Sequence, residues 1–354
     1  MFKNALILLT ALAATAAHAQ TAMELSQQSM SRWNVGTAQY SGITALGGDR
    51  YALVSDKEPT DGFYTFRISQ DPKTGQVTAM YLEGFMGNAS PKVDAQGISV
   101  RDCEGIAWFA PAGTVFISGE GDQEILEYSM KGQPTGRKLD VPAIFSRANI
   151  VPNYGFEALT YSAATHRFWT TTESTLPIDG HAASPQHPGV QNLLRLQAFD
   201  DQLRPCAQYA YRMDKGRTED FGKTYVYGVP EMTALPDGRL LVLEREADIS
   251  NGYLSSYVRC KLFLVNPNEG HQIDSSISLP LLDPNRYLVK QLLCDFTTNY
   301  TPFRHTFANY EGMCLGATLA DGRRTLLLVS DSQGGYGKGP FHLKDYIKVI
   351  VLGE

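Results

Sequence analysis

A glutamate followed by a small or flexible residue and a short apolar run recurs four times in this chain. The copies are Glu104-Gly105-Ile106-Ala107-Trp108, Glu157-Ala158-Leu159-Thr160, Glu231-Met232-Thr233-Ala234-Leu235 and Glu311-Gly312-Met313-Cys314-Leu315. Each is followed, after a turn, by a second β-type run that ends in acid: Glu120, Glu173, the Glu244-Arg245-Glu246 triplet and Asp331. A degenerate first copy, Ser41-Gly42-Ile43, precedes the run ending in Asp56 and carries serine in the glutamate slot. Self-similarity of this kind marks a repeat architecture. Alternating aromatic and β-branched runs broken by turn signals make the repeat all-β.

Two further strands follow most pairs. They are Gly62–Ile68 with Gln76–Leu82, Glu124–Ser129 with Arg137–Val141, Asn192–Phe199 with Ala207–Arg212, and Cys260–Val265 with Ser275–Leu281. Four antiparallel strands repeated about an axis form a β-propeller. Five repeats are readable, and the spacing from Leu282 to Asn309 leaves room for a sixth. The last copy has a third strand at Tyr346–Leu352 and then stops, so a strand from Met23–Tyr40 is expected to complete it. A β-sandwich is the alternative, but it leaves the repeated glutamate unexplained. Tyr287–Phe296 reads equally as a helical turn or a strand.

The chain opens Met1-Phe2-Lys3-Asn4, runs apolar to Ala17 and reaches Ala17-His18-Ala19. A positive start, a short apolar stretch and a small-residue cleavage site read as a secretory signal peptide over residues 1–19. Residues 20–354 are then expected to be one exported propeller domain, periplasmic or secreted and monomeric. No other segment is long enough to span a bilayer as an apolar helix. A formal charge of −6 without basic clusters argues against nucleic acid as a partner. The five cysteines lack a C-x-x-C pair, and an odd count leaves at least one thiol unpaired. Cys260 with Cys294 is the disulfide expected in an oxidising compartment.

In a propeller the first strand of each blade lines the central channel. Glu104, Glu157, Glu231 and Glu311 are therefore expected at one height, where mutual repulsion raises their pKa values and burial of bare charge is costly. Three kinds of partner can relieve this. Calcium takes six to eight oxygen ligands, many from carboxylates. Lys57, Arg101 and Arg245 lie beside the motifs. Backbone amides of a neighbouring blade can also be latched by each glutamate. Asp56, Glu120, Glu173, Glu244, Glu246 and Asp331 at the ends of the second strands, with Asp102, turn a row of latches into a candidate metal cluster.

No G-x-S-x-G elbow is present, and the histidines fall in loops without metal spacing; His305 stands nearest the last motif. Asn153 and Asn309 precede Glu157 and Glu311 and can orient those loops. Insertions at Leu176–Val190 and Lys215–Tyr227 read either as loops on the binding face of the propeller or as tolerated surface insertions, and the glycine-rich Gly334–Lys338 stretch is expected over the channel mouth, with Lys338 as an anion contact.

The motif block resembles the phytase-like family, "esterase-like activity of phytase". The resemblance rests on Ser41-Gly42-Ile43 with Val54-Ser55-Asp56, on Asp102-Cys103-Glu104-Gly105-Ile106-Ala107 and on Gly155-Phe156-Glu157-Ala158-Leu159. The ending is the closest part: Asn309-Tyr310-Glu311-Gly312-Met313-Cys314-Leu315-Gly316, Asp321-Gly322-Arg323-Arg324 and Leu328-Val329-Ser330-Asp331-Ser332. It spans Tyr40 to Leu352. It implies an exported propeller and a calcium-dependent phosphoesterase acting on a small molecule, with a metal-activated water and one motif glutamate as general base. The motif neighbourhoods hold few of the bases that phytate binding would want. Two other readings stay open: a non-catalytic binding propeller with a structural cation, and a metal-dependent carboxylic-ester or lactone hydrolase.

Overall fold

In the computed structural model the described residues are 21–353, apart from 98, 218–221, 223, 251–252 and 336–341. The expected signal peptide and Lys338 lie outside them.

The strands make five antiparallel sheets. Blade 1 comprises Tyr40–Gly47, Arg50–Ser55, Gly62–Gln70 and Val77–Gly87. Blade 2 comprises Cys103–Phe109, Thr114–Gly119, Ile125–Tyr128 and Pro134–Lys138. Blade 3 is built from Phe156–Ser162, Arg167–Thr172, Leu193–Asp200 and Pro205–Arg212. Blade 4 has Thr224–Ala234, Leu240–Ile249, Tyr257–Val265 and Lys290–Thr301, with Arg304–His305 returning on the last. Blade 5 has Asn309–Thr318, Arg324–Asp331 and Tyr346–Leu352, and its fourth strand comes from the other end of the chain. There Ala22, Met23 and Glu24 pair with Leu352, Val351 and Ile350, and Gln28–Ser29 continues along the same partner. The first strands of consecutive blades lie side by side around the ring, blade 5 against blade 1 included. The fold is a five-bladed β-propeller.

Each interface between blades has its own apolar core. Blades 2 and 3 meet through Phe109, Phe116, Phe156, Leu159 and Phe168. Trp169, Leu196 and Tyr211 meet Tyr227, Val229 and Met232 between blades 3 and 4. Corresponding clusters fill the 4–5, 5–1 and 1–2 interfaces. Stability is thus distributed around the ring, as nearest-neighbour terms are in repeat proteins.

Three expectations are corrected. There is no sixth blade: the stretch from Leu282 to Asn309 supplies the fourth strand of blade 4 and its short return. Ser275–Leu281 is not that fourth strand, which runs from Lys290. Residues 266–289 instead climb the outer edge of blade 3, where Ile273, Leu279, Leu282 and Tyr287 pack on Ala210, and where Gln272 bridges to Tyr209 and Tyr287 to Ala210. They cover an edge that would otherwise present unpaired backbone. All five cysteines are free. Cys294 stands opposite Leu262 and Cys260 opposite Phe296, so these two are diagonal neighbours on adjacent strands. Among the described residues no helix is long and apolar enough to cross a membrane.

Candidate functional site

Antiparallel pairing starts every first strand and ends every second strand on one face of the ring. The motif acids and the strand-end acids therefore meet at that channel mouth. The register also breaks there in all five blades. The irregularity falls at Ser41, at Glu104-Gly105, at Glu157-Ala158, at Val229-Pro230 and at Glu311. A bulge leaves its extra residue out of the ladder and re-aims the side chain, and bulges gather next to functional sites. The motif glycines serve the same narrow ring. A Cβ on Gly42 would stand 2.3 Å from the Glu104 carbonyl oxygen, and one on Gly105 would stand 2.3 Å from that of Glu157. First strands of adjacent blades approach so closely that only glycine fits at those points.

Glu104 is the hub of the mouth. Oxygens of Asp56, Asp102 and Glu104 lie within 4.8 Å of one another, and so do oxygens of Glu104, Glu120 and Glu157. Two calcium–oxygen bonds of about 2.4 Å can bridge that span. Glu104 and Glu157 are 7% and 9% exposed. Neither carboxylate has a hydrogen bond or ion pair among the described residues, although burial of a charge normally demands one. Burial, then Glu157, Asp56, Asp102 and Glu311, raises the Glu104 carboxyl well above its usual range. Burial, then Glu173, Glu120 and Glu311, does the same to Glu157 against the pull of Arg245.

The other acids of the mouth have partners. Glu120 accepts the Gly155 N–H at 2.9 Å, which opposes the burial that pushes it up to about 7. Burial also pushes Glu311 up to about 7, against Arg245. The Arg245 guanidinium, buried in the blade 4 sector, bonds Glu173, Glu311 and Asn309. Asn309 Nδ2 donates to Glu311 at 2.7 Å. Glu173 stays above its normal range through burial despite Arg245. Asp331 accepts from the backbone N–H and side chain of Gln333, yet burial, Glu311 and Asp56 hold it well up. Lys57 Nζ sits 2.9 Å from Asp56 and 2.7 Å from Asp102. Eight acids thus face two bases. Arg101, the third base beside the motifs, turns away to Asp122. Gln39, Asp102, Gln123, Asn153 and Gln333 ring the mouth with positive φ, a backbone cost that accumulates at functional sites.

Three acids expected in the cluster are elsewhere: Glu231, Glu244 and Glu246, the last accepting the Tyr225 hydroxyl at 3.0 Å and the Arg217 N–H at 2.7 Å. In blade 4 the bulge precedes the glutamate, so Glu231 pairs with Leu243 in regular ladder, where blade 3 has Leu159 opposite Thr170. Glu231 therefore lies deeper. It accepts the N–H groups of Leu159 and Met232 at 3.0 and 2.9 Å and, with burial raising its carboxyl, works as a latch between blades 3 and 4. Glu244, opposite that bulge, points between the same blades and is satisfied by Tyr211, Tyr227, Lys290 and the Asp214 N–H. The interrupting Pro230 is the one residue-level signal of the changed phase. His305 is an exposed residue edge-on to Tyr300.

Residues 36–333, which include every acid of the mouth, match the family described as "Phytase-like: Esterase-like activity of phytase". The chain belongs to this family. No curated protein sequence matches it. Among solved structures, this phytase-like chain is similar to an endo-arabinase from Bacteroides thetaiotaomicron, at 13% identity over 89% of this chain and 94% of that one, with a TM-score of 0.45. An alpha-L-arabinofuranosidase from Podospora anserina in complex with cellotriose gives 11% identity, coverage of 95% and 96%, and a TM-score of 0.42. A PQQ-bound aldose sugar dehydrogenase from Streptomyces coelicolor gives 12%, 95% and 99%, and 0.40. In the phytase-like chain the acid-to-base imbalance at the mouth falls on Glu104 and Glu157.

Proposed function

We propose that the protein binds a calcium ion on Glu104, Glu120 and Glu157 and hydrolyses phosphate esters of small molecules at the same mouth. One observation carries this reading: two buried carboxylates share a 4.8 Å cluster with a third and have no partner of their own among the described residues. Hard carboxylate oxygens at that spacing suit calcium, which completes its shell with water or substrate. A bound calcium would supply positive charge to a phosphoryl oxygen and lower the pKa of a water. Glu311 is the general base, since a carboxylate pushed up to about 7 is matched to proton transfer near neutral pH. Asn309 and Arg245 hold that carboxylate in place. Lys57, with 46% of its side chain exposed at the rim, offers charge to an anionic substrate. Arg245 at 5% is locked between its two acids. Export, as the opening residues suggest, would suit such a site, because extracellular modules bind calcium with Kd of about 10⁻⁴–10⁻³ M.

The bonds from Glu120 to Gly155 and from Glu231 to Leu159 cross between blades. They favour a second reading, a non-catalytic binding propeller in which a structural cation and latches tie the ring together. Turnover of p-nitrophenyl phosphate, bis-p-nitrophenyl phosphate, phytate and p-nitrophenyl acetate, with calcium and with EDTA, separates the readings. Calcium-dependent phosphate release that is lost in Glu311→Gln is expected. Acetate turnover alone would make the protein a carboxylic-ester hydrolase. Calcium binding without any turnover would leave the binding propeller.

A further inference from the structure

We infer that Asp56, Asp102 and Glu104 form a second cation site, which the ammonium of Lys57 holds closed; this rests on the calcium reading of the first. The two acidic triads share Glu104, but their states differ. No lysine or arginine among the described residues forms an ion pair with Glu104, Glu120 or Glu157. In the other triad the Lys57 ammonium lies 2.9 Å from Asp56 Oδ2 and 2.7 Å from Asp102 Oδ1. The chain's own cation thus stands where a divalent ion would draw these oxygens together.

The cage is built to hold more than an ammonium. Asp56 Oδ1 is buried and without a hydrogen-bond partner, in a residue only 8% exposed. Glu104, the third member, is unpaired as well. Two buried carboxylates and the half-buried one of Asp102, with Asp56 Oδ1 and Glu104 unpartnered among the described residues, exceed what one monovalent charge compensates. Asp102 is held toward the cage by a left-handed backbone, φ 51°, which aspartate tolerates at some cost. Lys57 is the movable part. It follows Asp56, just past the end of the second strand Arg50–Ser55, and its side chain is half in solvent, so it can swing out without unfolding the blade. A second divalent ion must displace it and forfeits two ion pairs. At about 1 kcal/mol or somewhat less for each partly exposed pair, that lowers affinity by about ten-fold or more. A released Lys57 at the rim would be free to meet an anionic ligand.

Calcium stoichiometry tests this on the full mature chain, by equilibrium dialysis and titration calorimetry at neutral pH. The wild type is expected to hold one calcium at free concentrations about ten-fold above its first Kd, with a second filling only at higher concentration. Lys57→Gln is expected to hold two at the same free concentration, and adding Asp102→Asn to it should restore one. Lys57→Arg keeps the charge and should still hold one, which serves as the folding and charge control. One calcium in both wild type and Lys57→Gln would overturn the second site while leaving the first intact. Two equal sites in the wild type would overturn the closing role of Lys57. No binding to any variant would sink the calcium reading itself, and this inference with it.

Discussion

Replacing Glu104 by glutamine should stabilise the calcium-free protein while abolishing its response to calcium. The carboxylate is buried, unpaired and repelled by Glu157, Asp56, Asp102 and Glu311. Its folded pKa therefore lies above the unfolded value, and the folded state binds the extra proton. The sign follows: stability is lost as pH rises above the unfolded pKa, until the folded pKa is reached. The loss is capped by the cost of taking up a proton. From a model value of 4.5, that cap is about 4 kcal/mol at pH 7.5 and about 0.7 kcal/mol at pH 5. Glutamine mimics the protonated carboxyl and removes the penalty. For a chain of 354 residues, unfolding entropy of about 2.1 cal/mol/K per residue converts the cap into a Tm gain of up to about 6 °C at pH 7.5 and about 1 °C at pH 5. Scanning calorimetry in EDTA reads both. With calcium at about 100 times Kd the wild type should gain about 2.7 kcal/mol, and the variant, lacking the shared ligand, almost none. A Tm that falls on Glu104→Gln in EDTA at pH 7.5 would refute the reasoning, because it would mean the carboxylate is held by favourable bonds.

The wild type in EDTA should itself melt lower at pH 7.5 than at pH 5. Glu120 and Glu311, pushed up to about 7, each lose on the order of 3 kcal/mol as pH climbs from the unfolded value; a flat or rising Tm would contradict this. Gly105→Ala should cost about 3 kcal/mol or more, beyond ordinary overpacking. Its Cβ would lie 2.3 Å from a backbone carbonyl that cannot move aside, and a Tm equal to wild type would show that the first strands are less closely spaced.

Much of the architecture was legible because the residue that marks each repeat, glutamate or the serine of blade 1, sits at the register irregularity in every blade but the fourth. The repeated glutamate marks four first strands, and the serine copy marks the fifth. Blade 4 departs from the repeat twice. Its third and fourth strands are separated by residues 266–289, whose apolar Ile277, Leu279 and Leu282 imitate a strand while packing on blade 3. Its glutamate, Glu231, carries the motif but not the phase, because phase is set by where the backbone bulges and Pro230 shifts that point. The candidate site was legible as a composition, acids with Lys57 and Arg245 beside them. Which acids remain unpaired depends on distances across blades, and no local pattern contains those.

The pairing of Ala22–Glu24 with Ile350–Leu352 has a kinetic consequence. The ring is closed by contacts between residues at opposite ends of the sequence, the slowest kind to form. Until Ala22–Glu24 pairs, blade 5 is short of its outer strand. Four blades can collapse early, but Glu311 and Asp331 reach the acids of blades 1 and 2 only when blade 5 docks on blade 1, across an interface that Met30 and Val35 of the N-terminal segment help to fill.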